Sequence, residues 1–131
     1  MRTSKVLKGI LIVLGIVLIG VGLSRLFDPI GFFQNSGITL DNQAGLLSEA
    51  RATGGAVLGF GLLTLFGAFN HKLSYTSTIS AIIVFLGFGV ARLIGFVIDG
   101  YPGDGLLPGL IIEFVSGLIA VFALFKYRER S

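Results

Sequence analysis

The sequence has no cysteine, no tryptophan and one histidine, His71. Without thiols there can be no disulfides, no thiolate metal sites and no Cys nucleophile. One imidazole cannot build a multi-histidine metal centre. Charge is scarce as well: Asp, Glu, Lys and Arg make up 13% of the 131 residues, about half the share of an ordinary soluble domain. Ser, Pro and Gln do not fill the deficit, which argues against a disordered chain. No phosphate-binding loop, zinc-protease helix or nucleophile elbow is present. Asp99 and Asp104 bracket a turn-rich run but lack the spacing of a calcium loop. No metal, cofactor or catalytic residue is therefore expected, and the chain is not expected to be an enzyme. An arginine–carboxylate cluster could do acid–base work, but no nucleophile–base pair stands out.

What the chain has is apolar length. Hydrophobic residues make up 53% of it, with 20 Gly and 12 Phe. A helix needs roughly 20 mostly apolar residues to cross a bilayer core. Four such segments are legible, at approximately 6–27, 52–69, 74–98 and 106–125. Their apolar runs are continuous rather than alternating, so they are helices and not barrel strands. The expected fold is all-α: one transmembrane domain over 1–131, an up-down-up-down four-helix bundle.

Lys and Arg in short loops set orientation. Arg2, Lys5, Lys8, Lys72, Lys126, Arg128 and Arg130 fall on one side. Asp28, Asp41, Glu49, Asp99 and Asp104 fall on the other. The basic side is expected to be cytoplasmic, with both termini and the Asn70-His71-Lys72 turn inside. The expected location is a bacterial cytoplasmic (inner) membrane. The basic start followed by an apolar run also has the form of a signal peptide, and Gly20 and Gly22 offer a small-x-small site. An internal copy of this segment argues against cleavage.

That copy is Gly87-Phe88-Gly89-Val90-Ala91-Arg92-Leu93, which repeats Gly20-Val21-Gly22-Leu23-Ser24-Arg25-Leu26 with four identities. Each is followed by a segment with a carboxylate near its outer start, Glu49 and then Glu113. The pattern reads as a duplicated two-helix hairpin. Small residues at Gly55 and Gly59, and at Gly87, Ala91 and Gly95, form stripes on which a neighbouring helix is expected to pack. The run Pro29-Ile30-Gly31-Phe32-Phe33 is apolar enough either to lie on the membrane surface or to cover the bundle.

Charges within the apolar segments mark where function could lie, because each costs about 2.5–3.5 kcal/mol at a span centre and so seeks a partner inside the bundle. Counting back from Lys126 at ~1.5 Å per residue places Glu113 below the outer boundary. Arg92 falls at a similar depth if the core begins near Ile79, so an Arg92–Glu113 pair is expected. Arg25, Glu49, Arg51 and Asp99 sit near the same outer end and could complete a pocket opening outward. These six residues are the candidate ligand-binding set. The alternative is that they are ion pairs fixing the register of the bundle, with interfacial arginines snorkelling to water.

The residues also carry a resemblance. Glu49-Ala50-Arg51-Ala52-Thr53-Gly54-Gly55 with Gly59 and Gly61, then Gly89 with Arg92, then Asp99-Gly100-Tyr101-Pro102 and Glu113, resemble an uncharacterised bacterial family of small four-helix membrane proteins known only as a domain of unknown function. The likeness spans most of the chain, and the Arg-Ala-x-Gly-Gly run is its most specific part. It implies the four-helix membrane fold but no activity or ligand. Helix count and the placement of Gly and Arg give a looser likeness to the DoxX-like group.

Two functions are expected from the sequence. The first is a structural or interaction protein, such as an accessory subunit of a membrane complex. The second is a binding or transport module for a small polar or anionic-lipid ligand at the arginine–carboxylate cluster. Expected partners are membrane lipids, other membrane-protein subunits or further copies of the chain. Nucleic acid is not expected, because the basic residues behind the net charge of +3 are membrane flanks.

Overall fold

The computed structural model describes residues 1–128; Glu129, Arg130 and Ser131, the end of the expected basic tail, lie outside the described residues. Among the described residues five α-helices follow one another: α1 Lys5–Phe27, the short α2 Pro29–Gln34, α3 Ala44–Phe69, α4 Ser74–Asp99 and α5 Leu107–Tyr127. Four of the helical segments are long and apolar enough to cross a membrane.

Caps and turn residues fix the helix ends. Ser4 opens α1, its hydroxyl accepting from Val6 N and Leu7 N. Asp28 serves two helices: its N–H closes α1 on Ser24 O, and its carboxylate caps α2 at Gly31 N. Pro29 stands at the start of α2, where its missing N–H costs nothing. Gly100 ends α4 with φ 95°, a conformation open to glycine but costly for other residues.

The third helix starts eight residues before the expected 52, so Glu49 and Arg51 stand on α3 itself. The stretch after Asp28, expected as loop, begins with α2.

Helix α1 packs along α3, α3 along α4, and α4 along α5. At one end Arg2 N donates to Tyr127 O at 2.7 Å, tying the segment before α1 to the end of α5. This order is compatible with an up-down-up-down bundle. Leu14, Leu18, Val57, Ala81, Val84, Phe85 and Ala120 form the core. Lipid is as apolar as these side chains, so close packing and interhelical hydrogen bonds hold such helices together. Ser74 and Ser77, in the polar start of α4, supply two: their hydroxyls donate to Gly67 O and Leu63 O on α3.

The tightest seam joins α1 to α3, and its glycines are not the expected ones. Gly15 and Gly22 meet Leu65 and Leu58 backbone, while Gly54 and Gly61 meet α1. Each pair is seven residues apart, the period that keeps one face turned toward a partner. A Cβ on Gly55, Gly59, Gly87 or Gly95 would meet nothing within 4 Å. Those stripes therefore face away from the bundle, the reverse of the expectation. Gly54 and Gly55 are consecutive and so lie on different faces of α3, and Val57, Gly61 and Thr64 are buried on the face containing Gly54.

Candidate functional site

The site forms where α2 packs back on α1 and α3, so that its Phe32 and Phe33 share one space with Arg25 of α1, Arg92 of α4 and Glu113 of α5. Arg25 lies in the last turn of α1 and is only 7% exposed. Gly54 makes room for its stem, since a Cβ there would lie 2.8 Å from Arg25 Cβ. The Asp28 junction then turns the chain so that Phe32 and Phe33 come over the guanidinium, 5.0 and 5.4 Å from ring centroid to Cζ. Phe88 of α4 approaches to 5.3 Å.

Each aromatic face can stabilise a desolvated guanidinium by about 2 kcal/mol, but a ring is a poor hydrogen-bond acceptor. Nε of Arg25 is buried without a hydrogen-bond partner among the described residues. Leaving a buried charged donor unanswered costs at least about 1–3 kcal/mol.

Arg92 and Glu113 face Arg25 across the same space. Arg92 Nε donates to both Glu113 carboxylate oxygens at 2.9 Å, which is the expected pair. The pair is largely shielded, with side chains 21% and 13% exposed. Its hydrogen bonds run through Nε alone.

Between these groups lies a cavity of about 140 Å³. Its apolar wall includes Val17, Val21, Val57, Val84 and Phe85, and Arg25, Arg92 and Glu113 form its charged part. A cavity of roughly this size lined by Leu, Ile and Phe accepts benzene. Two guanidiniums and one carboxylate leave a positive charge without a counter-ion in a largely apolar setting.

Of the six residues expected to meet, three do. Glu49, Arg51 and Asp99 do not line the cavity. Arg51 instead donates through Nη1 to Leu26 O at 2.5 Å. It thereby stabilises the C-terminal end of α1, where the helix dipole favours a cation. Glu49 is exposed, because it stands about 100° around α3 from Ala50, which is buried against the bundle. Asp99 is exposed at the end of α4, about 10 Å along the axis from Arg92. Near it, Tyr101 donates to Asp104 Oδ1, and this bond to the carboxylate raises the phenol above its ordinary pKa.

Sequence reasoning missed Phe32, Phe33 and Phe88 as partners of Arg25. One signal was available: Phe88 occupies the repeat itself, and Phe32-Phe33 follow the Asp28-Pro29 helix start.

The two repeat copies behave alike in part. Gly20 and Gly87 face open space, Gly22 and Gly89 pack into their seams, and Arg25 and Arg92 line one cavity. Their seams differ: Gly22 meets backbone of α3, whereas Gly89 meets the ring of Phe114.

No curated protein and no solved structure matches this chain. Residues 6–124 match a family described as a domain of unknown function (DUF4345), so the chain, a membrane protein of four spanning-length helices, belongs to that family.

Proposed function

We propose that this protein is a membrane-embedded binding module for a small ligand, without catalytic activity, and that the cavity around Arg25 is its site. One observation carries the reading: a largely buried guanidinium with no carboxylate of its own lines a ligand-sized, mainly apolar cavity. Purely structural ion pairs would be closed on themselves, as Arg92 and Glu113 are. An enzyme would need a reactive group in the cavity, and the ionisable groups there are two arginines and one carboxylate already engaged with arginine. The proposed setting is a bacterial cytoplasmic membrane. The basic end bearing Lys8 and Lys72 faces the cytoplasm and the α2 end faces out, as the distribution of Lys and Arg favours.

Native mass spectrometry of the protein, gently extracted from its own membrane, tests this. The expected result is a single chain or homo-oligomer carrying a reproducible small adduct that disappears in Arg25→Gln. Wild type without any adduct would count against a binding module.

A second reading, an accessory subunit of a membrane complex, is favoured by the outward glycines. Gly59 and Gly87 are exposed and Gly55 and Gly95 open onto free space, so another helix could approach there. Additional protein masses at fixed stoichiometry in the same spectra would support it.

A further inference from the structure

The cavity defines its ligand more narrowly than binding alone. Size comes first: about 140 Å³ accommodates a group near the size of a six-membered ring and excludes a folded lipid tail. Polarity is next. Val57, Val84 and Phe85 offer no hydrogen bonds, so most of the ligand must be hydrocarbon. Charge is third. Glu113 neutralises one guanidinium through both of its oxygens, which leaves the other without a counter-ion. A dianion would overcompensate, and a cation or neutral molecule would leave the excess standing.

Donor geometry is the last constraint. Phe32, Phe33 and Phe88 surround the Arg25 guanidinium, which lines the cavity without a carboxylate of its own. The terminal amines of Arg92 are not used in the hydrogen bonds to Glu113. A planar two-oxygen anion suits guanidinium donors, because the fork of N–H groups matches a carboxylate.

We propose that the cavity binds a small apolar monocarboxylate, its carboxylate on Arg25 and its hydrocarbon part, about the size of a six-membered ring, against Val57, Val84 and Phe85. This deepens the binding-module reading and rests on it. Arg25 is the anion receptor. The Arg92–Glu113 pair sets the charge of the site at one and so selects monoanions. Helix α2 completes the aromatic lining that keeps water from the guanidinium.

The test uses the full chain in zwitterionic nanodiscs, with titration calorimetry of benzoate and cyclohexanecarboxylate against benzamide and benzylamine, which are similar in size but neutral or cationic. Laurate serves as the long-chain acid. Saturable binding of the two small acids, at least about tenfold tighter than benzamide, is expected, as one charge-assisted hydrogen bond supplies that much. Arg25→Gln should erase the preference, while Arg25→Lys, keeping the charge, should retain part of it. The wild-type comparison alone decides the matter if the variants fail to fold. Equal binding of benzamide and benzoate would overturn the carboxylate assignment and leave a binding module for neutral molecules. Binding of laurate but neither small acid would overturn the size assignment and indicate a lipid-derived acid. No binding by any probe would overturn this inference, and the mass-spectrometric adduct would then decide separately whether a site exists.

Discussion

At the scale of single residues, the three charges of the cavity are not equivalent, and their roles can be separated. Removing one partner of a buried ion pair usually costs about 3–5 kcal/mol, because the other charge is left stranded. Here the cost depends on which partner goes. Without Arg92, Glu113 still faces Arg25, which lines the same cavity and can take its place. Without Glu113, two guanidiniums confront each other in an apolar setting. Glu113→Leu should therefore destabilise by about 3 kcal/mol or more, and Arg92→Leu by less, about 1–2 kcal/mol. Reversible unfolding in mixed micelles measures both. Equal losses would mean that Arg25 does not reach Glu113. The Arg92–Glu113 pair was legible in the sequence because helical rise and a short connection put both at one depth. The Arg25 environment was not, since aromatic contacts to Phe32 and Phe88 depend on how α2 folds back and how α4 is rotated, which hydropathy does not encode.

At the scale of elements, glycine placement distinguishes packed faces from open ones. A Cβ on Gly22 would lie 2.5 Å from Leu58 N and 2.8 Å from Gly54 O, backbone atoms that cannot swing aside. Gly22→Ala should thus separate α1 from α3 and cost about 1–3 kcal/mol, the range for overpacking a tight contact. Gly59→Ala meets only open space. It should be neutral or stabilising by up to about 1 kcal/mol through helix propensity. Thermal unfolding of both variants in one detergent provides the comparison. A neutral Gly22→Ala would refute the α1–α3 seam. A destabilising Gly59→Ala in lipid, but not in detergent, would locate an interface with another helix at that face. The long helices were legible because apolar runs of this length have few alternatives. The glycine faces were not. Small residues four apart occur on several sides of a Gly-rich helix, and only the heptad pair Gly54 and Gly61, set against Gly15 and Gly22, shows which side is used. The start of α3 was hidden for a related reason: Gln43 provides no side-chain cap, and the first turns of the helix carry Gly45, Ser48 and Glu49 rather than an apolar run.

At the scale of the whole molecule, the two ends of the bundle differ in composition, and the proposed orientation rests on that difference. The end near Lys8 and Lys72 is basic, and the end containing α2 and the Gly100–Gly103 turn carries Asp41, Asp99 and Asp104. Retention of Lys and Arg on the cytoplasmic side is counted over short loops, and each connection here is short enough to qualify. The absence of cysteine makes this testable, since any introduced thiol is the sole site of reaction with a maleimide. Asp41→Cys, Lys72→Cys and Pro102→Cys all place the thiol at exposed positions outside the packed core. In intact cells stripped of outer barriers, a membrane-impermeant maleimide should label positions 41 and 102 and spare 72. Position 72 should react only after permeabilisation. The inverse pattern would turn the protein over and place the cavity end in the cytoplasm, where it would meet metabolic acids rather than external ones. Labelling of all three without permeabilisation would contradict a chain whose third and fourth helical segments each traverse the bilayer.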